Sequence, residues 1–295
     1  MKISKVSKRN RKYIENFVYE IYTDYINEYH KYIDNVVIQN NERLEHILGF
    51  INTWTINIMN IANEYDIIKN IITNSNDISI HKNGKFTIVI EIIDTVQSAI
   101  NCSEFGSIFS IYSGENIISS GFLRYSYIQQ LVFAFENFTK LYNFSTTSKS
   151  FIEVSKINSP ECGDTYFITD GKNTSYSNYQ IYQFVDKLKT THTLMFSDSI
   201  VCNFFHILTK GGVFLSTEDN SGQTNVKLLF QAIPLAFIAK NTGLTCFSNN
   251  GIHTIDLPYP EGKKGLKNTT IFIAGTCEET TKYSDIINPS LVFFD

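Results

Sequence analysis

The chain is 295 residues long, 43% hydrophobic and 18% charged, with 25 Lys+Arg against 29 Asp+Glu and a formal net charge of −4. An apolar fraction of this size excludes a disordered chain, and the length suits one large or two medium domains. Only four of the basic residues are arginine (Arg9, Arg11, Arg43 and Arg124), which argues against a nucleic-acid surface or a phosphate-dense site built on bidentate arginine clamps.

The first twelve residues are basic but are not followed by the apolar core and cleavage site of a secretory signal, so they read as a solvated tail. From Tyr13 to Asn70 apolar residues recur at helical spacing (Ile14, Phe17, Val18, Ile21, then Leu44, Leu48, Ile51), which predicts two or three amphipathic helices. The period then changes. Lys85 to Asp94 is β-branched and nearly continuous, entered through Asn83-Gly84, and predicts a strand buried on both faces. Ser107–Tyr112 and Ile117–Leu123 follow as strands around a Ser113-Gly114 turn, and Tyr127 to Tyr142 returns to helical spacing. After a turn at Ser159-Pro160-Glu161-Cys162-Gly163, strands are predicted at Thr165–Thr169, Thr193–Phe196 and Val213–Ser216. A helix over Asp198–Lys210 stops at Gly211-Gly212. Asn225–Lys240 reads as helix and Thr270–Ala274 as a last buried strand closed by Gly275. The alternation of helices and strands gives an α/β class with two subdomains, residues 1–165 and 166–295.

Few motifs survive inspection. Five scattered cysteines form no C-x-x-C pair, so neither a zinc site nor a disulfide framework is expected, and a reducing, cytoplasmic setting is the simplest, with an organellar one left open. No apolar run reaches the roughly 18–20 residues of a membrane span. Gly171-Lys172 lacks phosphate-loop spacing. The six histidines lie in separate contexts, and His206 reads as a packed helix residue. What remains is Glu91 and Asp94 at the end of the buried strand. Carboxylates there suit a hard cation such as Mg²⁺, because strand ends in α/β sheets open into crevices. On these two residues alone the simpler alternative is favoured: an edge glutamate and an aspartate capping the next turn.

The surrounding sequence resembles the class I fructose-1,6-bisphosphatases, a branch of the Mg²⁺-dependent sugar phosphatases. Gly84-Lys85-Phe86 through Asp94, followed by Phe105 to Tyr112, is similar to the family's G-K-Y strand, D-P-x-D-G-S-S-N metal loop and V-G-T-I-F-x-I-Y strand. Ile117 to Phe122 resembles L-V-A-A-G-Y, and Thr169-Asp170-Gly171 resembles N-E-G. Lys210 to Phe214 resembles Y-G-G-I-F, and Leu228 to Phe237 resembles L-L-Y-E-x-N-P-[ML]-A-[FY]. The resemblance runs in order from about residue 84 to 277 and implies the layered α/β/α/β/α sugar-phosphatase fold.

It also implies a site, and the departures fall on it. The metal positions read Glu91, Asp94 and Gln231, with at most Asp77 in the segment of the S-E-E pair, where Asn74, Ser75 and Asn76 otherwise stand. The upstream acidic loop has its counterpart near Asn52–Asn57, in asparagines. The G-S-S-N cradle has become Thr95-Val96-Gln97-Ser98. Among positions that would meet substrate, Lys227 stands for an arginine, Asn225 for a lysine, Lys210 for the tyrosine of Y-G-G and Phe196 for a tyrosine, with Thr169 beside Asp170. Residues that act as a unit fail together. The resemblance therefore implies a non-catalytic member with a binding, scaffold or regulatory role, which forms a homo-oligomer or a hetero-oligomer with an active relative and uses neither nucleic acid nor membrane. The alternative is a diverged phosphoric monoester hydrolase, with Mg²⁺ as its cofactor, acting on fructose 1,6-bisphosphate or a related monoester.

Overall fold

A computed structural model of the chain describes residues 6–36, 43–74, 76–168, 179–218, 223–248, 251–260 and 262–287. Two long helices, α1 (Lys8–Val36) and α2 (Arg43–Asn63), open the chain. Strands β1 (Ile68–Thr73), β2 (Asp77–Ser79) and β3 (Phe86–Glu91) follow. A short helix, α3 (Val96–Ile100), then leads into β4 (Phe105–Ser113), β5 (Asn116–Tyr125), β6 (Gln130–Phe135), β7 (Phe138–Ser145) and β8 (Ser150–Lys156). These strands form one sheet in the order β2-β1-β3-β4-β5-β6-β7-β8, in which the β1–β3 pair is parallel and the others antiparallel.

The second sheet is built from β9 (Thr165–Ile168), β10 (Thr193–Met195) and β11 (Val213–Ser216), which run parallel, and from β13 (Thr245–Phe247) and β15 (Phe272–Gly275); its order is β10-β9-β11-β15-β13. Helices α4 (Tyr179–Thr191) and α5 (Ile200–Lys210) supply the crossovers. A two-stranded ribbon pairs β12 (Val226–Lys227) with β14 (Thr269–Thr270). A π-helical turn, Leu228–Ala232, runs straight into α6 (Ile233–Thr242), and α7 (Gly262–Gly265) and α8 (Cys277–Ile287) complete the chain.

Packing makes five layers, as the resemblance implies. Helix α1 buries Ile14, Phe17, Val18, Ile21, Tyr22, Tyr25 and Tyr29, and α2 buries Ile47, Phe50, Trp54, Ile58 and Ala62, each at three- and four-residue steps. Both stripes lie on one face of the large sheet. The opposite face packs against α5, α6 and the π-helical turn, which also back the small sheet. Helices α4 and α8 cover the small sheet's outer face. Because the large sheet is covered on both sides, β3 can be hydrophobic throughout, and its terminal Glu91 is carried to 0% exposure.

Several expectations need correction. Tyr127–Tyr142 is not a helix: β6 and β7 form a hairpin around Glu136-Asn137. Leu131, Val132, Phe133, Ala134 and Phe135 are all buried because helices cover both faces of their strand, so the segment has no two-residue alternation to reveal it. Asn225–Lys240 begins as a strand and a π-helical turn before the true α-helix starts at Ile233. The last strand is broken between β14 and β15. The segment Asn52–Asn57 is the middle of α2, where the Asn57 amide donates to Asp24 Oδ2 at 3.0 Å, so it forms no loop beside the strand ends. Strand β8 and helix α4 were not anticipated. All five cysteines are free thiols. No helix among the described residues is long and apolar enough to cross a membrane.

Candidate functional site

The end of β3 is held before any charge is considered. Ser107 Oγ, on β4, donates to the Glu91 carbonyl at 2.9 Å and lies 3.1 Å from the Tyr22 hydroxyl, while Tyr25 Oη donates to the Ile92 carbonyl at 3.1 Å. Two tyrosines of α1 thus reach through the core to fix the backbone from which Glu91 projects.

The Glu91 carboxylate meets Lys227, whose ammonium donates to Oε1 and forms the only ion pair to Glu91 among the described residues; the Asn74 amide donates to the same oxygen at 3.2 Å. Oε2 is buried with no hydrogen-bond partner among the described residues. Burial pushes the carboxyl above its ordinary range, and the lysine charge and its hydrogen bond oppose that shift. Lys227 is positioned by its neighbours in turn. It precedes the π-helical turn, its backbone N–H donates to Gln231 Oε1 at 2.9 Å, and its side chain remains 37% exposed.

Asp94 lies three residues on, partly buried, and both its oxygens are engaged. Oδ1 accepts from the Gly106 N–H at 2.9 Å; Oδ2 accepts from the Ser199 hydroxyl at 2.6 Å and the Val201 N–H at 3.0 Å. Ser199 is also the N-cap of α5, accepting from the Cys202 N–H at 3.1 Å. A glycine is required at 106, because a Cβ there would lie 2.4 Å from Val201 and push α5 off the sheet. Burial raises the Asp94 carboxyl as well, against the pull of these hydrogen bonds. In effect Asp94 caps α5 and bolts it to β4. This differs from the simpler alternative of an edge glutamate and an aspartate capping the next turn: Glu91 is fully buried, and the helix that Asp94 bonds comes from the other half of the chain.

This donor set does not fit a magnesium centre. Glu91 Oε1 is shared by an ammonium and an amide, Asp94 has no uncommitted oxygen, and Gln231 is turned onto the Lys227 backbone. Asp77 is exposed on β2, opposite Ile72 and two strands from β3, where its charge acts on Tyr259. Among the described residues no group of three or more His, Cys, Asp or Glu side chains could hold a metal ion.

The expected substrate contacts are only partly gathered. Lys227 is at the end of β3, on Glu91, and Asn225 lies exposed just before it. Phe196, 72% exposed, follows the C-terminal end of β10, near the Ser199 cap. Lys210 sits before the start of β11, which runs parallel to β9 and β10, so it occupies the opposite end of the small sheet from Phe196. The glycines after Lys210 enforce this geometry: Gly211 and Gly212 have φ of 81° and 100°, and a Cβ on either would meet a carbonyl oxygen at 2.1 Å. Thr169, Asp170, Gly171 and Lys172 lie outside the described residues. The four arginines are engaged elsewhere. Arg11 stacks over Phe138, Arg9 over Tyr13, Arg43 donates to the Ile100 carbonyl, and Arg124 grips Glu104 with two 2.8 Å bonds.

Ser199 was not singled out from the sequence. Its signal was a serine directly before an amphipathic apolar run, the mark of an N-cap. Its link to Asp94, 105 positions away, had no signal at all.

Residues 159–287 match the family described as "Fructose-1-6-bisphosphatase, C-terminal domain". The class 1 fructose-1,6-bisphosphatase of Leptospira biflexa is 24% identical over 229 residues, covering 68% of this chain and 65% of that protein. One from Pseudoalteromonas translucida is 24% identical over 185 residues, 54% of this chain and 57% of the relative. The chain thus spans less than two thirds of the length of these curated relatives. Fructose-1,6-bisphosphatase of Leishmania major in its apo form has a similar fold, with a TM-score of 0.74 at 16% identity over 89% of this chain and 93% of that one.

Proposed function

We propose that the chain, whose residues 159–287 match the fructose-1,6-bisphosphatase C-terminal domain and which is 24% identical to a class 1 fructose-1,6-bisphosphatase over 229 residues, is a member of that family without phosphatase chemistry of its own, acting as a binding, scaffold or regulatory subunit. Its two subdomains are residues 1–165 and 166–295. One observation carries the reading: both oxygens of Asp94 are spent on Gly106, Ser199 and Val201, so the acid holds two layers together. Metal-assisted phosphoryl transfer needs several carboxylates free to bind cations and oppose the charge developing on the phosphoryl oxygens. Here the neighbouring acid, Glu91, is neutralised by Lys227 instead.

Phosphate release from fructose 1,6-bisphosphate in Mg²⁺ or Mn²⁺ is expected to stay at the level of a buffer blank. Turnover that disappears in Asp94→Ala would overturn the reading. The role left to the protein is association, as a homo-oligomer or with an active relative. Light scattering after size exclusion, followed by pull-down from the native source, separates these two assemblies.

A second reading is favoured by the orphaned Oε2 of Glu91, a buried acceptor facing no donor among the described residues. In it the chain is a diverged Mg²⁺-dependent phosphatase of fructose 1,6-bisphosphate or a related monoester, with Glu91, Asp94 and Gln231 rearranging around the cation. The same assay decides between the two.

A further inference from the structure

We propose that Lys227 is a built-in counter-ion: its ammonium takes the place of a divalent cation at the end of β3 and clasps the large sheet to the C-terminal half of the chain. The geometry is specific to this pair. Glu91 is 0% exposed and Lys227 comes to it from 136 positions away, out of the β12–β14 ribbon. The lysine cannot readily withdraw, because its own N–H is held by Gln231 at the mouth of the π-helical turn that packs on β3 and β4. Among the described residues, the charged groups that act most on Glu91 are Lys227 and Asp94, one cation and one anion, and Asn74 adds a neutral donor. Without the ammonium, Glu91 would be a buried carboxylate under the added repulsion of the Asp94 charge, the situation a divalent cation ordinarily resolves. With it, the strand end is complete, and the two acids become two separate fasteners: Glu91 to the ribbon and Asp94 to α5.

This inference deepens the non-catalytic reading and rests on it, but its readout is different. Thermal unfolding, followed in EDTA and in millimolar MnCl₂, compares the unaltered chain with Lys227→Gln, Lys227→Met and the double variant Lys227→Gln/Glu91→Gln. Bound Mn²⁺ is counted by electron paramagnetic resonance. The unaltered chain is expected to bind no Mn²⁺ and to melt at the same temperature in both buffers. Lys227→Gln, which keeps a donor but no charge, should melt several degrees lower in EDTA, recover in MnCl₂, and bind one Mn²⁺. Lys227→Met should do the same from a lower starting point. The double variant should lose the Mn²⁺ response and melt above Lys227→Gln in EDTA.

Tight Mn²⁺ binding by the unaltered chain would overturn the proposal, since the ammonium would not then be standing in for the cation. A Lys227→Gln that melts like the unaltered chain, or that ignores Mn²⁺, would overturn it equally. Phosphate turnover without Mn²⁺ binding would sink only the non-catalytic reading, so the two failures are distinguishable.

Discussion

The two sides of the large sheet solve burial in opposite ways. On the α1–α2 side the interior is aromatic: Tyr25 packs edge to face on Phe50 and Trp54, and Tyr29 on Phe50, with Tyr22 tilted against Tyr25 and Trp54; the Tyr25–Trp54 ring centroids are 4.7 Å apart. The polar tips of Tyr22, Tyr25 and Trp54 each find a hydroxyl or carbonyl, as Trp54 Nε1 does at the Ile21 carbonyl, 3.2 Å away. On the other side, at the end of β3, the interior holds charge, and one carboxylate oxygen has no partner among the described residues. The first region is stabilised by area and shape. The second is costly to bury and is tolerated because each acid joins elements distant in sequence, so its value lies in which layers it holds together.

Substitutions can break or sharpen that contrast. The largest effect is expected from Trp54→Ala, which empties a fully buried ring site and removes the extra donor to the Ile21 carbonyl; chemical denaturation should show a loss of about 3–5 kcal/mol, with the Mn²⁺ behaviour of the β3 end unchanged. Asp94→Ala comes next, at about 2–4 kcal/mol. It orphans the Gly106 and Val201 N–H groups, and hydrogen exchange should quicken at the N-terminus of α5 while α1 and α2 stay protected. If exchange rises uniformly instead, Asp94 is not a local fastener. Ser199→Ala removes the cap and one of the Asp94 donors, for a smaller loss of about 1–2 kcal/mol.

The smallest effect concerns pH. Burial, helped by the charges of Lys210 and Arg124, lowers the affinity of His206 for a proton below its ordinary value of 6.5. The unfolded chain therefore takes up a proton that the folded chain resists. Relative to His206→Gln, the unaltered chain should lose stability as pH falls through 6.5 and show a constant difference above it. A difference that grows on the alkaline side would reverse the assignment.

Much of the architecture was legible because local periodicity and tertiary burial agreed. The stripe from Ile14 to Tyr29 and the stop at Gly211-Gly212 are examples. Legibility failed at β6 and β7, where covering both faces of the sheet removed the alternation that marks a strand. It failed again at Leu228–Ala232, where the backbone turns π-helical in order to seat Lys227 and Gln231. Of the candidate site, Glu91, Asp94, Gln231 and Lys227 were named from the sequence, but their partners were not.

The four arginines show where the division falls. By itself the sequence determined that they were only four, that the chain was α/β, and that its motifs resembled those of one family. Only the tertiary structure decided that those arginines serve surface pairs and ring stacks, that Lys227 neutralises Glu91, and that Asp94 caps α5. The physical reason is range. Periodicity, caps and glycine turns act over a few residues and can be read along the chain, whereas the pairing of a buried charge is settled by whichever side chain folding brings within bonding distance, here from more than a hundred positions away.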